Sequence, residues 1–155
     1  MKSRLLVVSI LGAALVAAGR LSAQQAATDP TPLQRFGKSV RGVPLSRAVR
    51  AGKLVFVSGT PAFDAAGNLA VGDFPAQMKQ AMDNVTDVLE SAGTGWERVV
   101  KVNVILVRPG DFADMNRIYA SYFPDGRYPA RTTTVVSALP QPDLLLEIEC
   151  EAVLD

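Results

Sequence analysis

Near its C-terminus the sequence alternates. Leu144, Leu146, Ile148, Cys150 and Ala152 are apolar, and Glu147, Glu149 and Glu151 fall between them. Successive side chains of a strand point to opposite sides, so this spacing sets three carboxylates on one face of a sheet. A carboxylate can orient a water and move a proton, while acids on a polar strand face are equally an ordinary solvated surface; spacing alone does not choose. Other chemistry-bearing types are scarce. The chain has no histidine and one cysteine, Cys150. That excludes Ser-His-Asp and Cys-His nucleophiles, His/Cys zinc sites and any intramolecular disulfide, and no metal site is expected. Cys150 lies on the apolar side of its strand, where a free thiol packs as a small hydrophobe. Met78, Met82 and Met115 sit at helical core spacing and read as packing. Trp96 has no second aromatic beside it to build a stacking platform.

The elements that must position these residues follow from periodicity. Of the 155 residues, 48% are hydrophobic and 20% charged, the composition of one ordinary globular domain. Residues 1–23 stand apart. Lys2 and Arg4 make a basic start, Leu5 to Gly19 is an uncharged, mostly apolar run, and Leu21-Ser22-Ala23 offers a small-residue exit. These are the parts of a secretory signal peptide, and the run is shorter than the roughly 18 residues of a spanning helix. The expectation is cleavage near Ala23, no stable membrane span afterwards, and a periplasmic or secreted protein. Cleavage removes three basic groups (Lys2, Arg4, Arg20) and no acid, leaving 13 basic against 15 acidic residues, a formal charge of −2. Such a balance gives no electrostatic reason to expect nucleic-acid binding. Residues 24–42 read as a mobile, proline-punctuated leader, and 43–155 as the folded domain.

Within that domain Leu54–Ser58 reads as a strand buried on both faces. Asp73 to Ala92 reads as a helix capped by Asp73, with Pro75 in its first turn and Gly93 stopping it. Met78, Met82, Val85 and Leu89 form its apolar stripe. A strand follows from Val99 to Val107, then a helix from Asp111 to Phe123, with Asp114 as capping-box partner. Strands over Thr132–Ser137 and Leu144–Val153 close the chain. Two helices cover only one face of such a sheet. The other face mixes Glu147, Glu149 and Glu151 with half of the apolar Leu54–Val57 run, and another subunit is its simplest cover.

Several segments, in order and at the right spacing, carry a resemblance. They are Pro44-Leu45-Ser46-Arg47-Ala48-Val49-Arg50-Ala51-Gly52 followed by Leu54-Val55-Phe56-Val57-Ser58-Gly59, then Gln80–Val85 with Leu89–Gly93, then Val99–Val104 with Asp111–Asn116. Tyr128-Pro129-Ala130-Arg131-Thr132, Leu139-Pro140 and Leu146-Glu147-Ile148-Glu149 complete the set. Over roughly residues 43–154 the chain resembles the RidA/YjgF family of reactive-intermediate (imine) deaminases. The resemblance implies an α+β fold, a mixed β-sheet backed by two α-helices, assembled as a homotrimer with a central β-barrel and active clefts between subunits. It implies a cofactor-free hydrolysis of small 2-imino acids to 2-oxo acids and ammonia. It also implies that Arg131 binds the substrate carboxylate through its bidentate fork, and that Glu147 positions water. Thr133, where many relatives have cysteine, Ser58, Gly59 and Asn116 match substrate-binding positions of the cleft. One position departs: relatives with strong deaminase activity usually carry a tyrosine where this chain has Leu45. The other reading of the same fold is a non-catalytic trimer, binding small carboxylates or acting as a chaperone.

Overall fold

The computed structural model describes residues 31–37 and 42–155. The signal-peptide expectation on residues 1–23 lies outside the described residues, as does most of the leader. Six strands form one sheet in the order β1-β2-β3-β6-β4-β5. They are β1 (Leu33–Phe36), β2 (Ala48–Ala51), β3 (Leu54–Pro61), β4 (Val99–Leu106), β5 (Ala130–Val135) and β6 (Leu146–Val153). Every neighbouring pair is antiparallel except β4 and β5, which run parallel, so the sheet is mixed. Two helices, α1 (Phe74–Ser91) and α2 (Phe112–Ala120), back one face.

Helix α1 forms where the pattern demands it. Asp73 Oδ1 accepts from the Ala76 amide at 3.0 Å, and proline occupies the first turn. Gly93 adopts φ +82° just past the end, a left-handed turn that glycine makes without a Cβ clash. Its stripe of Met78, Met82, Val85 and Leu89 is fully buried against the sheet. The opposing layer comes from alternate residues of the strands: Val55 and Val57, Val102, Val104 and Leu106, then Leu146, Ile148, Cys150 and Ala152. These register together, Val102 with Cys150, Val104 with Ile148 and Leu106 with Leu146. The other sheet face is left open within one chain.

Three expectations are corrected. The strand Leu54–Val57 is not buried on both faces of a single chain, because Leu54 and Phe56 are 46% and 43% exposed while Val55 and Val57 are core. Part of the stretch read as a leader is ordered: Leu33–Phe36 pairs with Ala48–Ala51 along its length. No capping box opens α2. A 3₁₀ turn over Pro109–Asp111 leads into it, Asp111 pairs with Arg108, and Asp114 pairs with Arg117 one turn on. Each acid takes a nearby guanidinium rather than a backbone amide.

Candidate functional site

Strand β5 is an edge strand whose register with β4 sets Val102 beside Arg131 and Val104 beside Thr133. Paired residues of neighbouring strands share a face, so Arg131 and Thr133 stand on the helix-covered side, at its rim. Helix α2 supplies Met115, Asn116 and Tyr119 there, with Tyr119 four residues from Met115 and three from Asn116. Arg131 Nη2 donates to Asn116 Oδ1 at 2.6 Å, and Nη1 to Met115 Sδ at 3.5 Å. The guanidinium carbon lies 4.8 Å from the centre of the Tyr119 ring, within cation–π range. An amide, a thioether and a π face thus hold the guanidinium, and none neutralises it. Among the described residues no carboxylate stands within ion-pair reach of Arg131, whereas Arg98, Arg108, Arg117 and Arg127 each have one. A half-buried cation without a counter-ion is costly, and it offers an arriving anion a rigid fork of donors.

Two hydroxyls beside it are also unused. Thr133 Oγ1 and Tyr119 Oη are buried without a hydrogen-bond partner. Burial pushes the Tyr119 phenol up to about 12, against the opposing pull of Arg131, so it stays a neutral donor. Asn116, Tyr119, Ala120, Tyr128, Pro129 and Arg131 line a cleft of about 440 Å³. A second groove, of about 400 Å³, lies over the helices beside Lys79 and Arg117. Its two cations are already paired, with Asp83 and Asp114.

Ser58, Gly59 and Glu147 gather elsewhere. The register of β3 on β6 passes from Val57–Cys150 to Thr60–Ile148, so Ser58 and Gly59 together face one residue and the strand bulges. Ser58 Oγ donates to the Ser46 carbonyl at 2.8 Å and its amide to the Arg47 carbonyl at 3.0 Å, which ties the Leu45–Arg47 segment to the bulge. Glu147 pairs with Pro61 and Ile105, one residue out of phase with the core positions Leu146 and Ile148. It therefore points to the open face. Its carboxyl rests on Gly59, where an added Cβ would come within 2.7 Å of Glu147 Cδ; only glycine allows this approach. Burial, and then the charge of Glu149, raise the Glu147 carboxyl above its ordinary value. Glu149 accepts from Asn103 Nδ2 at 2.7 Å.

One chain therefore does not bring the six candidate residues into one site. Arg131, Thr133 and Asn116 meet on the helix side of the sheet, and Ser58, Gly59 and Glu147 on the open side. Asn116, expected to touch substrate, spends its side-chain oxygen on Arg131. Tyr119 and Met115 were legible only as the apolar stripe of a helix, although Tyr119, three residues from Asn116, sits at a spacing that was an available signal. No cluster of three or more His, Cys, Asp or Glu residues with metal-binding geometry occurs among the described residues, and no helix among them is long and apolar enough to cross a membrane.

The sequence profile of the endoribonuclease L-PSP family matches residues 39–154. A mouse protein named 2-iminobutanoate/2-iminopropanoate deaminase is 38% identical over 111 residues, 71% of this chain and 81% of its own. The crystal structure of RidA from the Antarctic bacterium Psychrobacter sp. superposes with a TM-score of 0.72 at 32% identity, covering 78% of this chain and 99% of that one. The structure of E. coli TdcF with bound serine gives 0.70 at 28% identity, covering 82% and 99%. The mixed sheet with two helices on one face is the fold these proteins share, and the chain belongs to the endoribonuclease L-PSP family, that of the RidA and YjgF proteins.

Proposed function

We propose that the chain is a cofactor-free hydrolytic deaminase of small 2-imino acids, working as a homotrimer with each active cleft shared by two subunits. The observation that carries this reading is the half-buried Arg131, held in place by Asn116, Met115 and Tyr119 and left without a carboxylate. A planar 2-imino carboxylate fits the fork bidentately, with the Thr133 amide as a further donor. In this reading Glu147 orients a water toward the C=N carbon and takes its proton, which its raised basicity favours. The oxygen–carbon bond forms as the C=N π pair moves to nitrogen, and nitrogen is protonated. The 2-amino-2-hydroxy acid then passes its hydroxyl proton to the amino nitrogen, the C–N bond breaks to release ammonia, and C=O forms. Imino acid plus water gives 2-oxo acid plus ammonia, with no change of oxidation state.

Arg131 and Glu147 lie on opposite faces of their own sheet, so a site containing both draws them from two copies. The test is ammonia release from freshly generated 2-imino acids, with Arg131→Ala and Glu147→Gln assayed singly and after co-refolding. Each alone is expected to be inactive. An equal mixture should recover about a quarter of the parent activity, the share of clefts that receive Arg131 from one variant and Glu147 from the other. No recovery would place both groups in one chain and overturn the shared cleft. Leu45, 41% exposed beside the segment that holds Ser58, favours the second reading, a carboxylate-binding trimer without turnover. Under it the parent itself releases no ammonia, and Glu147→Gln removes no activity. The basic start and apolar run of residues 1–23 support export to the periplasm or medium, tested by mass spectrometry for an N-terminus near Gln24.

A further inference from the structure

We infer that the cleft at Arg131 selects 2-imino acids whose side chain carries an aromatic ring, with Tyr128 as the residue that decides; this rests on the reading of Arg131 as carboxylate anchor. The cleft has two unlike ends. Arg131 and Asn116 make one end polar, and the remaining lining is Tyr119, Ala120, Tyr128 and Pro129. Its volume of about 440 Å³ falls in the ~300–1,000 Å³ range of small-molecule clefts.

Tyr128 is the part of this wall that packing within the chain does not use up. It is 56% exposed, yet its ring is not loose. It stacks on Tyr119 at 6.5 Å with 26° between the planes, and meets Phe123 edge-on at 5.7 Å and 63°. Pro129 follows it with a fixed φ and leads directly into β5. A ring held by neighbours on one side presents its free face with little further loss of side-chain entropy. Tyr119 also lies under the Arg131 guanidinium. One side chain therefore joins anchor and wall and sets the distance between them. A carboxylate on the fork has Tyr128 and Pro129 as the remaining wall of the same cleft, on which a ring can stack.

The experiment is titration calorimetry of the full trimeric protein with pyruvate and phenylpyruvate, stable 2-oxo acid probes that share the carboxylate. Phenylpyruvate is expected to bind about ten-fold more tightly, the gain of one aromatic contact. In Tyr128→Ala the ratio of the two affinities should fall to about one, in Tyr128→Leu to an intermediate value, and Tyr128→Phe should keep it. Circular dichroism of the variants excludes misfolding, and the Leu and Phe variants carry the test if the Ala variant does not fold. Equal affinities in the parent, or a ratio unchanged by Tyr128→Leu, would overturn the specificity while leaving the anchor intact. Binding that survives Arg131→Ala, or no binding by either probe, would instead overturn the anchor and this inference with it.

Discussion

At the scale of single residues the two half-sites make opposite demands. Arg131→Lys keeps the charge and loses the planar fork. One charge-assisted hydrogen bond is worth roughly 1.5–3 kcal/mol, so affinity for small 2-oxo acids should fall about ten- to a hundred-fold by calorimetry. Asn116→Ala should weaken binding by a smaller factor, because the guanidinium keeps Tyr119 and Met115 but loses its 2.6 Å bond. Glu147→Gln should leave oxo-acid binding in place and remove hydrolysis. It should also stabilise the fold at neutral pH. The unfolded chain releases this proton near the ordinary 4.5 and the folded chain only at higher pH. Between those values the folded state holds the extra proton, so stability falls as pH rises and the penalty persists above. The gain in melting temperature from Glu147→Gln should therefore be present at pH 7 and vanish below about 4.5. The same raised value puts the acid limb of kcat/KM above that of a free glutamate. Glu149→Gln should move this limb down, though not all the way, since burial is the larger cause.

At the scale of elements, the bulge and the loop before β6 aim Glu147. Gly59→Ala drives a methyl group into the Glu147 carboxyl; hydrolysis should drop while oxo-acid binding at Arg131 holds, a split readable in a single assay set. Gln77, fully buried in α1, donates to the carbonyls of Ala70 and Asp143 and accepts from the Leu145 amide, each at 2.9 Å. It pins the backbone that enters β6. Gln77→Leu strands the buried Leu145 amide and removes a partner from the Ala70 and Asp143 carbonyls, and should cost about 2 kcal/mol, seen as a lower thermal midpoint at fixed protein concentration. The strong periodicities were legible in sequence: α1, β4 and β6 lie within a few residues of where their patterns place them. Strands β1 and β2 were not. Leu33-Gln34-Arg35-Phe36 and Ala48-Val49-Arg50-Ala51 carry no alternation long enough to signal a strand, and their order comes from pairing with each other and with β3. The residue types of the site were legible through the family motif, but their division between faces required the register of β5 on β4 and of β6 on β3, which no local pattern encodes.

At the scale of the whole molecule, the open sheet face is the feature that one chain leaves unexplained. Leu54 and Phe56 project from it with Ile105, Glu147, Glu149 and Glu151. An apolar surface interrupted by acids in the middle of a sheet is poor solvent-facing material and good interface material. A heterologous contact, in which this face of one copy meets a different face of the next, closes into a ring when the rotation allows. In the proposed trimer such a contact would also carry Glu147 toward a neighbour's Arg131. Association and catalysis should therefore fail together. Phe56 sits opposite Glu151 in the sheet register, so Phe56→Glu adds a fourth acid to the face and removes its largest apolar side chain. Each chain should still fold, because Phe56 lies outside the buried core of α1 and the sheet. The expected result is a sedimentation pattern shifted from trimer to monomer at micromolar concentration, with unchanged far-ultraviolet circular dichroism and no ammonia release. A Phe56→Glu protein that sediments as a trimer and turns over like the parent would show that this face lies outside the interface, and would remove the physical reason for pairing Arg131 with a neighbour's Glu147.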